Sequence, residues 1–396
     1  MTPYSHQIGV GGLVVSEREK QLVNEVLDSG RLTYGPKSKA FEEQFSSKHN
    51  CKYGLFLNSG TSALHLSLQA LKEMHGWSDG DEVIVPSVTF VATSNIVIHN
   101  NMKPVFADVE PTTYNIDPKE IEKKITKRTR AIIPVHLLGL PASMGPISDL
   151  AKTHNLKIIE DSCETMFATY QGKPVGSLGD IACFSTYVAH FLVTGVGGLV
   201  TTNDLELAKA VRSLMNHGRD NVYISCSDDK DLSDEELLEV VNRRFRFERV
   251  GHSFRCTELE AALGIGQLER ADEIIAKRSE NALKLTEGLS QFSEYLQLPH
   301  CPADRTHSYM LYGVALRNQQ LGPLVNYLEK LNIETRPMLP LINQPIYKKL
   351  YGDLEKQYPV AKWLNSSAFY LGCHSYMDDE QIGFIINAFK EFFNKS

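Results

Sequence analysis

From position 53 onward, short apolar runs alternate with segments whose apolar residues recur at helical spacing. "YGLFLNSG" predicts a strand running into a turn, and "TSALHLSLQALKEM" then places apolar residues at 63, 64, 66, 68 and 71, mostly on one helical face. Six further runs predict strands: "DEVIVPSVTF", "KPVFADVE", "RAIIPVHLLG", "LKIIEDSCE", "DIACFSTY" and "GLVTTND". Helical segments such as "SNIVIHNNM", "DPKEIEKKI" and "ISDLAKTHN" lie between several of them. This alternation predicts an α/β sheet with helices on both faces.

The pattern changes after position 220. "SDDKDLSDEELLEVVNRRFRFERV" is acidic and then basic, and Ser233 followed by Glu236 predicts a capped acidic helix. Arg244 and Arg246 alternate with Phe245 and Phe247, as an edge strand would. "TELEAALGIGQLERADEIIAKRSENALKLTEGL" reads as a long helical connector, and the remainder from about 290 as a smaller α+β unit. The expected division is a large α/β domain over 1–265, then the connector and a small α+β domain over 266–396.

The longest apolar stretch, roughly 180–200, approaches the ~20 residues of a membrane span. It contains Ser185, Thr186, His190, Thr194 and three glycines, which favours a buried strand–loop–strand. The 396 residues carry a net charge of −7, which argues against nucleic acid or an anionic membrane as a general partner. No DNA-binding motif is present. Seven scattered cysteines include no C-x-x-C or C-x-C pair, excluding a zinc ribbon or a closely spaced iron–sulfur motif. A reduced, cytoplasmic chain is expected, and the N-terminus shows no signal-peptide pattern.

Three places suit chemistry. Ser59-Gly60-Thr61 ends a strand and opens a helix, where free N–H groups and the dipole favour a phosphate; capping alone explains it equally well. Asp161 and Glu164 lie just past a buried strand, where α/β sheets bind ligands, although a helix-capping aspartate is the commoner reason for such an acid. Ser185 precedes the loop "TGVGG", whose glycines at 195, 197 and 198 suit either close approach to a ligand or a tight hairpin. At the centre of that loop is His190, and no lysine occurs between Lys173 and Lys209.

In this order and spacing, Gly60-Thr61, Phe90 in "PSVTFVATSN", Asp161 and Ser185 resemble the DegT–StrS group of fold-type I pyridoxal-phosphate sugar aminotransferases. "LTYGPKSKAFEEQF", "ADVEPTTYNIDP", "PVHLLGLPASM", "MNHGRD" and "FRCTELEAALGIGQLERADE" extend the resemblance over nearly the whole chain. It implies a large, mostly parallel seven-stranded sheet domain plus a small α+β domain. It also implies a homodimer with shared active sites, pyridoxal or pyridoxamine 5′-phosphate as cofactor, and a nucleotide-linked keto sugar and L-glutamate as substrates. Gly60, Thr61 and Ser185 would hold the phosphate, Phe90 would stack on the pyridine ring, and Asp161 would pair with the ring nitrogen. Ser253 would reach the neighbouring subunit's cofactor phosphate. His217 would face the substrate. Among Arg243, Arg244, Arg246 and Arg249, a solvated strand face explains the charges about as well as a nucleotide diphosphate, for which Arg249 is the best single choice. His136 is expected to be structural or a pocket wall, and His374 to line the sugar site.

His190 departs from the aminotransferases, which carry their cofactor-anchoring lysine there. The exchange resembles the sugar 3-dehydratase branch of the family, as does "EDSCET", with Glu164 where aminotransferases commonly have glutamine. It implies a noncovalently held pyridoxamine phosphate and a 4-keto sugar, with His190 moving the proton while the C3 hydroxyl leaves. The missing closely spaced cysteines favour glutamate over an iron–sulfur cluster for restoring the amine. Two alternatives stand beside this reading: an aminotransferase with another or an altered lysine site, and a non-catalytic cofactor-binding relative. Val196 replaces a usual glutamate, and Phe191 follows His190 where the branch often has a second histidine.

Overall fold

The computed structural model describes residues 1–220, 233–243, 245–317, 320–338 and 341–395. All seven predicted runs form one sheet. Its strands are β1 (Tyr53–Leu57), β2 (Glu82–Pro86), β3 (Lys103–Ala107), β4 (Thr129–Ile132), β5 (Lys157–Asp161), β8 (Ile181–Ser185) and β9 (Gly198–Thr202), in the order β1-β9-β8-β5-β4-β2-β3. A two-stranded hairpin, β6 (Thr169–Tyr170) and β7 (Lys173–Pro174), stands apart. Only β9 runs against its neighbours; the other pairings in the sheet are parallel. Every residue of β2, β8 and β9 is buried, as continuous apolar strands covered on both faces must be.

The helix Gly60–His75 lies against this sheet. Ser59 caps its start by accepting the Ser62 N–H at 3.0 Å, and Gly76 ends it with φ 62°. Its buried face carries Ala63, Leu64, Leu66, Leu68 and Leu71.

A second sheet, all antiparallel, has the order β10-β11-β13-β12: β10 (Leu296–Gln297), β11 (Tyr312–Leu316), β12 (Arg336–Pro337) and β13 (Ala368–Leu371). A separate apolar core joins it to the helices Ala271–Leu289, Leu321–Lys330 and Asp379–Lys395. The start of the chain joins this core. Ile8 pairs with Ile333, and Gly11 and Gly12 pack against Ala189 and His374.

Two expectations are corrected. The connector is not one helix but two, Glu258–Glu269 and Ala271–Leu289, because Arg270 leaves helical geometry at φ −106° and ψ 9°. The expected edge strand at 244–247 is reduced, among its described residues, to a single antiparallel bridge between Phe247 and Arg219. Phe245 and Phe247 are both exposed, and both rings lie against the Arg219 guanidinium, at 5.3 and 5.7 Å. Alternation specifies a strand only where one face has a core to cover, and here the two rings meet a cation instead. Arg243 and Arg246 turn to Asp220, and Arg244 lies outside the described residues. The helix predicted from Ser233 does form, Asp234–Arg243, with the reciprocal Ser233–Glu236 hydrogen bonds. Among the described residues no helix is long and apolar enough to cross a membrane, and the stretch 180–200 is a strand, a loop and a strand.

Candidate active site

The carboxyl ends of β1, β5 and β8 converge on one cradle. Gly60 opens the helix after β1, Asp161 ends β5 and Ser185 ends β8. A Cβ on Gly60 would lie 2.8 Å from Cys163 Sγ and 2.9 Å from Ser185 Cβ, so only glycine lets the three segments meet. The first N–H groups of the helix have no acceptor within it, and Thr61 is exposed beside them. Gly198 serves the same contact from behind, since its Cβ would strike the Ser59 carbonyl and Gly60 nitrogen. Gly195, by contrast, faces open space with φ 88°.

Asp161 is buried, and burial raises its pKa. Its carboxylate accepts from the Thr93 hydroxyl at 2.8 Å and from the Cys163 N–H at 3.2 Å, both neutral donors. A buried carboxylate of this kind favours a cation placed against it. Phe90, whose carbonyl accepts the Thr93 N–H at 3.3 Å, is 57% exposed, an apolar ring left uncovered. Pyridoxal phosphate fits these residues: a helix N-terminus and Ser185 for a phosphate, a free ring face, and a buried acid for a protonated ring nitrogen.

Glu164 is close enough to Asp161 to feel its charge. Burial first, then that charge, pushes its carboxyl up to about 7, against the Leu138 N–H donated at 3.0 Å. Leu138 adopts the left-handed backbone (φ 56°, ψ 13°), at a cost of about 1–2 kcal/mol, and so delivers that donor. The folded chain therefore binds a proton at Glu164 between pH 4.5 and 7 that the unfolded chain releases, and loses stability as pH rises through that window. With cofactor removed, Glu164→Gln is expected to be more stable than the parent by about 1–2 kcal/mol at pH 8, with little difference at pH 4. Denaturant unfolding at both pH values measures this; an equal difference at the two would contradict it.

His190 lies on the loop between β8 and β9, half-buried. Thr186 and Thr194 close the base of the loop through their hydroxyls at 2.6 Å, and Phe191, Leu192 and Val193 fill the core beneath it. The imidazole Nδ1–H donates to the Tyr187 carbonyl at 3.3 Å, and Tyr187 N–H approaches Ser185 Oγ at 3.4 Å. Nε2 makes no hydrogen bond among the described residues. Burial, joined by the nearby Arg278 cation, brings the imidazole down to about 4, so the ring is neutral at pH 7 with a lone pair on Nε2.

The sequence profile of the DegT/DnrJ/EryC1/StrS aminotransferase family matches residues 14–390. The chain belongs to this family. The GDP-perosamine synthase of Caulobacter vibrioides is 36% identical over 352 residues, 88% of each chain. The dTDP-4-dehydro-2,6-dideoxy-D-glucose 3-dehydratase of Saccharopolyspora spinosa is 31% identical over 406 residues, 99% of this chain and 88% of that one. The crystal structure of an aminotransferase from Psychrobacter cryohalolentis superposes with a TM-score of 0.88 at 29% identity, covering 99% of both chains. The architecture is thus that of the fold-type I enzymes, with the large sheet domain and the smaller α+β unit.

Of the remaining residues expected from the DegT/DnrJ/EryC1/StrS resemblance, His217 and Ser253 lie beside the carboxyl end of β1, where Arg255 bridges Leu57 and the Phe254 carbonyl accepts the Asn58 N–H at 2.9 Å. His217 and Ser253 meet at an exposed edge beyond β1, joined by Arg255, whose Nη2 is 3.2 Å from Ser253 Oγ and 3.4 Å from His217 Nε2. Arg249 pairs with Glu73 at 3.4 Å, near the far end of the Gly60–His75 helix. About thirteen residues at 1.5 Å each put it roughly 20 Å from the cradle of its own chain. His136 is fully buried between Glu160 (3.1 Å) and the Ala142 N–H (3.0 Å) and is structural. His374 is buried against Gly12. Sequence reasoning missed Thr93, Cys163, Leu138 and Arg255. Thr93 follows Phe90 by three residues, one helical turn, which is the signal that would have found it.

Proposed function

We propose that the chain modifies a nucleotide-linked 4-keto sugar by removing its C3 oxygen, with pyridoxamine phosphate held noncovalently and glutamate restoring the amine. Membership of the family gives the cofactor, pyridoxal 5′-phosphate and its amine form. Bound, that group supplies an electron sink next to the sugar carbonyl. Gly60, Thr61 and Ser185 hold its phosphate, Phe90 covers its ring, and Asp161 keeps the ring nitrogen protonated.

One observation carries the choice of reaction: the loop that follows Ser185 holds an imidazole and no lysine. Nε2 of His190 takes the proton, and Glu164, which burial and the Asp161 charge push up to about 7, is a second group able to exchange protons near neutrality. Sequence identity does not decide between reactions, since one relative is named for amination and another for 3-dehydration. His217, Ser253 and Arg255, gathered at an exposed edge, support a shared site in a homodimer, where Arg249 would meet the nucleotide.

Borohydride treatment of the holoprotein is expected to leave the chain mass unchanged. A covalent pyridoxyl adduct would mean that a lysine anchors the cofactor and that amination is the reaction. With a panel of 4-keto nucleotide sugars and glutamate, 2-oxoglutarate and a 3-deoxy sugar are expected. Tight cofactor binding with no turnover on any of them would indicate a non-catalytic relative.

A further inference from the structure

Arg278, on the helix Ala271–Leu289, is 2% exposed. Its Nη1 donates to the carbonyls of Met310 (2.8 Å) and Tyr309 (3.3 Å), and its Nη2 to the carbonyl of His190 (3.4 Å). The guanidinium carbon lies 4.9 Å from the Phe191 ring centre. Nε is buried without a partner, and no carboxylate among the described residues pairs with the group. Burying a guanidinium without a counter-charge is costly, and surface arginines reach water instead. Simple tethering of two loops would need only neutral donors.

We propose that Arg278 is a positioning residue for His190, gripping the loop at the His190 carbonyl and the Phe191 ring so that the imidazole turns toward the cradle. The inference rests on the reading of His190 as the base. The uncompensated charge also disfavours a second cation beside it, so the imidazole keeps its lone pair. The groups facing Arg278 are the imidazoles of His190 and His374, the Cys373 thiol and the Tyr376 hydroxyl. Among the described residues, His190 also faces the Tyr187 carbonyl and, edge-on at 6.2 Å, the Tyr187 ring, while His374 faces the backbone of Gly9 and the Tyr376 ring. Burial pushes the Cys373 thiol up to about 12, so it carries no charge at pH 7 to cancel the guanidinium.

The test follows the His190 imidazole signal by NMR in histidine-labelled holoprotein, assigned by its loss in His190→Asn. In the parent and in Arg278→Lys the ring is expected to stay neutral to below pH 5. In Arg278→Met its proton affinity is expected to rise at least tenfold, about one pH unit, with the acid limb of kcat moving the same way. Should Arg278→Met fail to fold, Arg278→Gln keeps neutral donors for the carbonyls and makes the same comparison. A His190 midpoint unchanged without the charge, or moved equally by Arg278→Lys, overturns the proposal. The titration reads alike whether the enzyme dehydrates or aminates. A failed dehydration assay with an intact shift therefore overturns the proposed reaction and leaves the role of Arg278 standing.

Discussion

His190→Asn is expected to slow release of the C3 oxygen by about 10²–10⁴-fold, the usual contribution of a positioned general base, while pyridoxamine phosphate stays bound. The contacts assigned to the cofactor come from Gly60, Ser185, Asp161 and Phe90, none of which depends on the imidazole. Asparagine offers the Tyr187 carbonyl an N–H donor but has no lone pair that takes a proton at neutral pH. The converse exchange, His190→Lys, is expected to leave a mass adduct after borohydride and to suppress dehydration. Deoxygenated product forming at the parent rate in either variant would remove His190 from the mechanism.

Asp161→Asn is expected to weaken cofactor retention by on the order of a hundredfold or more and to slow the half-reaction with glutamate. The amide still accepts from Thr93 but carries no charge to hold a protonated ring nitrogen. Losing one member of a buried, hydrogen-bonded charge pair costs several kcal/mol. Cofactor absorbance after exhaustive dialysis, and its spectral change on adding glutamate, measure the two effects. Retention equal to the parent would mean that the ring nitrogen does not meet Asp161.

Much of this was legible in the residues. The seven strands of the large sheet are apolar runs bounded by turn residues, and burial on both faces leaves such runs little alternative. Gly60, Asp161 and Ser185 were legible because chain order places them at strand ends, and strand ends in one sheet converge. What escaped depends on contacts between distant segments. Nothing near Arg278 in sequence reveals that it closes on the carbonyl of residue 190. Leu138 reads as core, yet its strained backbone supplies the donor to Glu164. The paired Phe245 and Phe247 misled for the same reason: alternation is a local signal, and the Arg219 cation that meets both rings is not local to them.

The pairing of Ser185 with Gly198 has a consequence for how such a protein diversifies. β8 and β9 are consecutive and antiparallel, so residues 186–197 leave and re-enter the sheet at one point. The Thr186–Thr194 hydroxyl contact ties that point shut. Most of the loop's buried anchors sit after position 190, at Phe191, Leu192 and Val193. The side chain at 190 is therefore a module: natural selection can exchange it without disturbing a strand, a register or a helix. On this scaffold the side chain to which we assign the choice between adding nitrogen and removing oxygen is separable from the ability to fold.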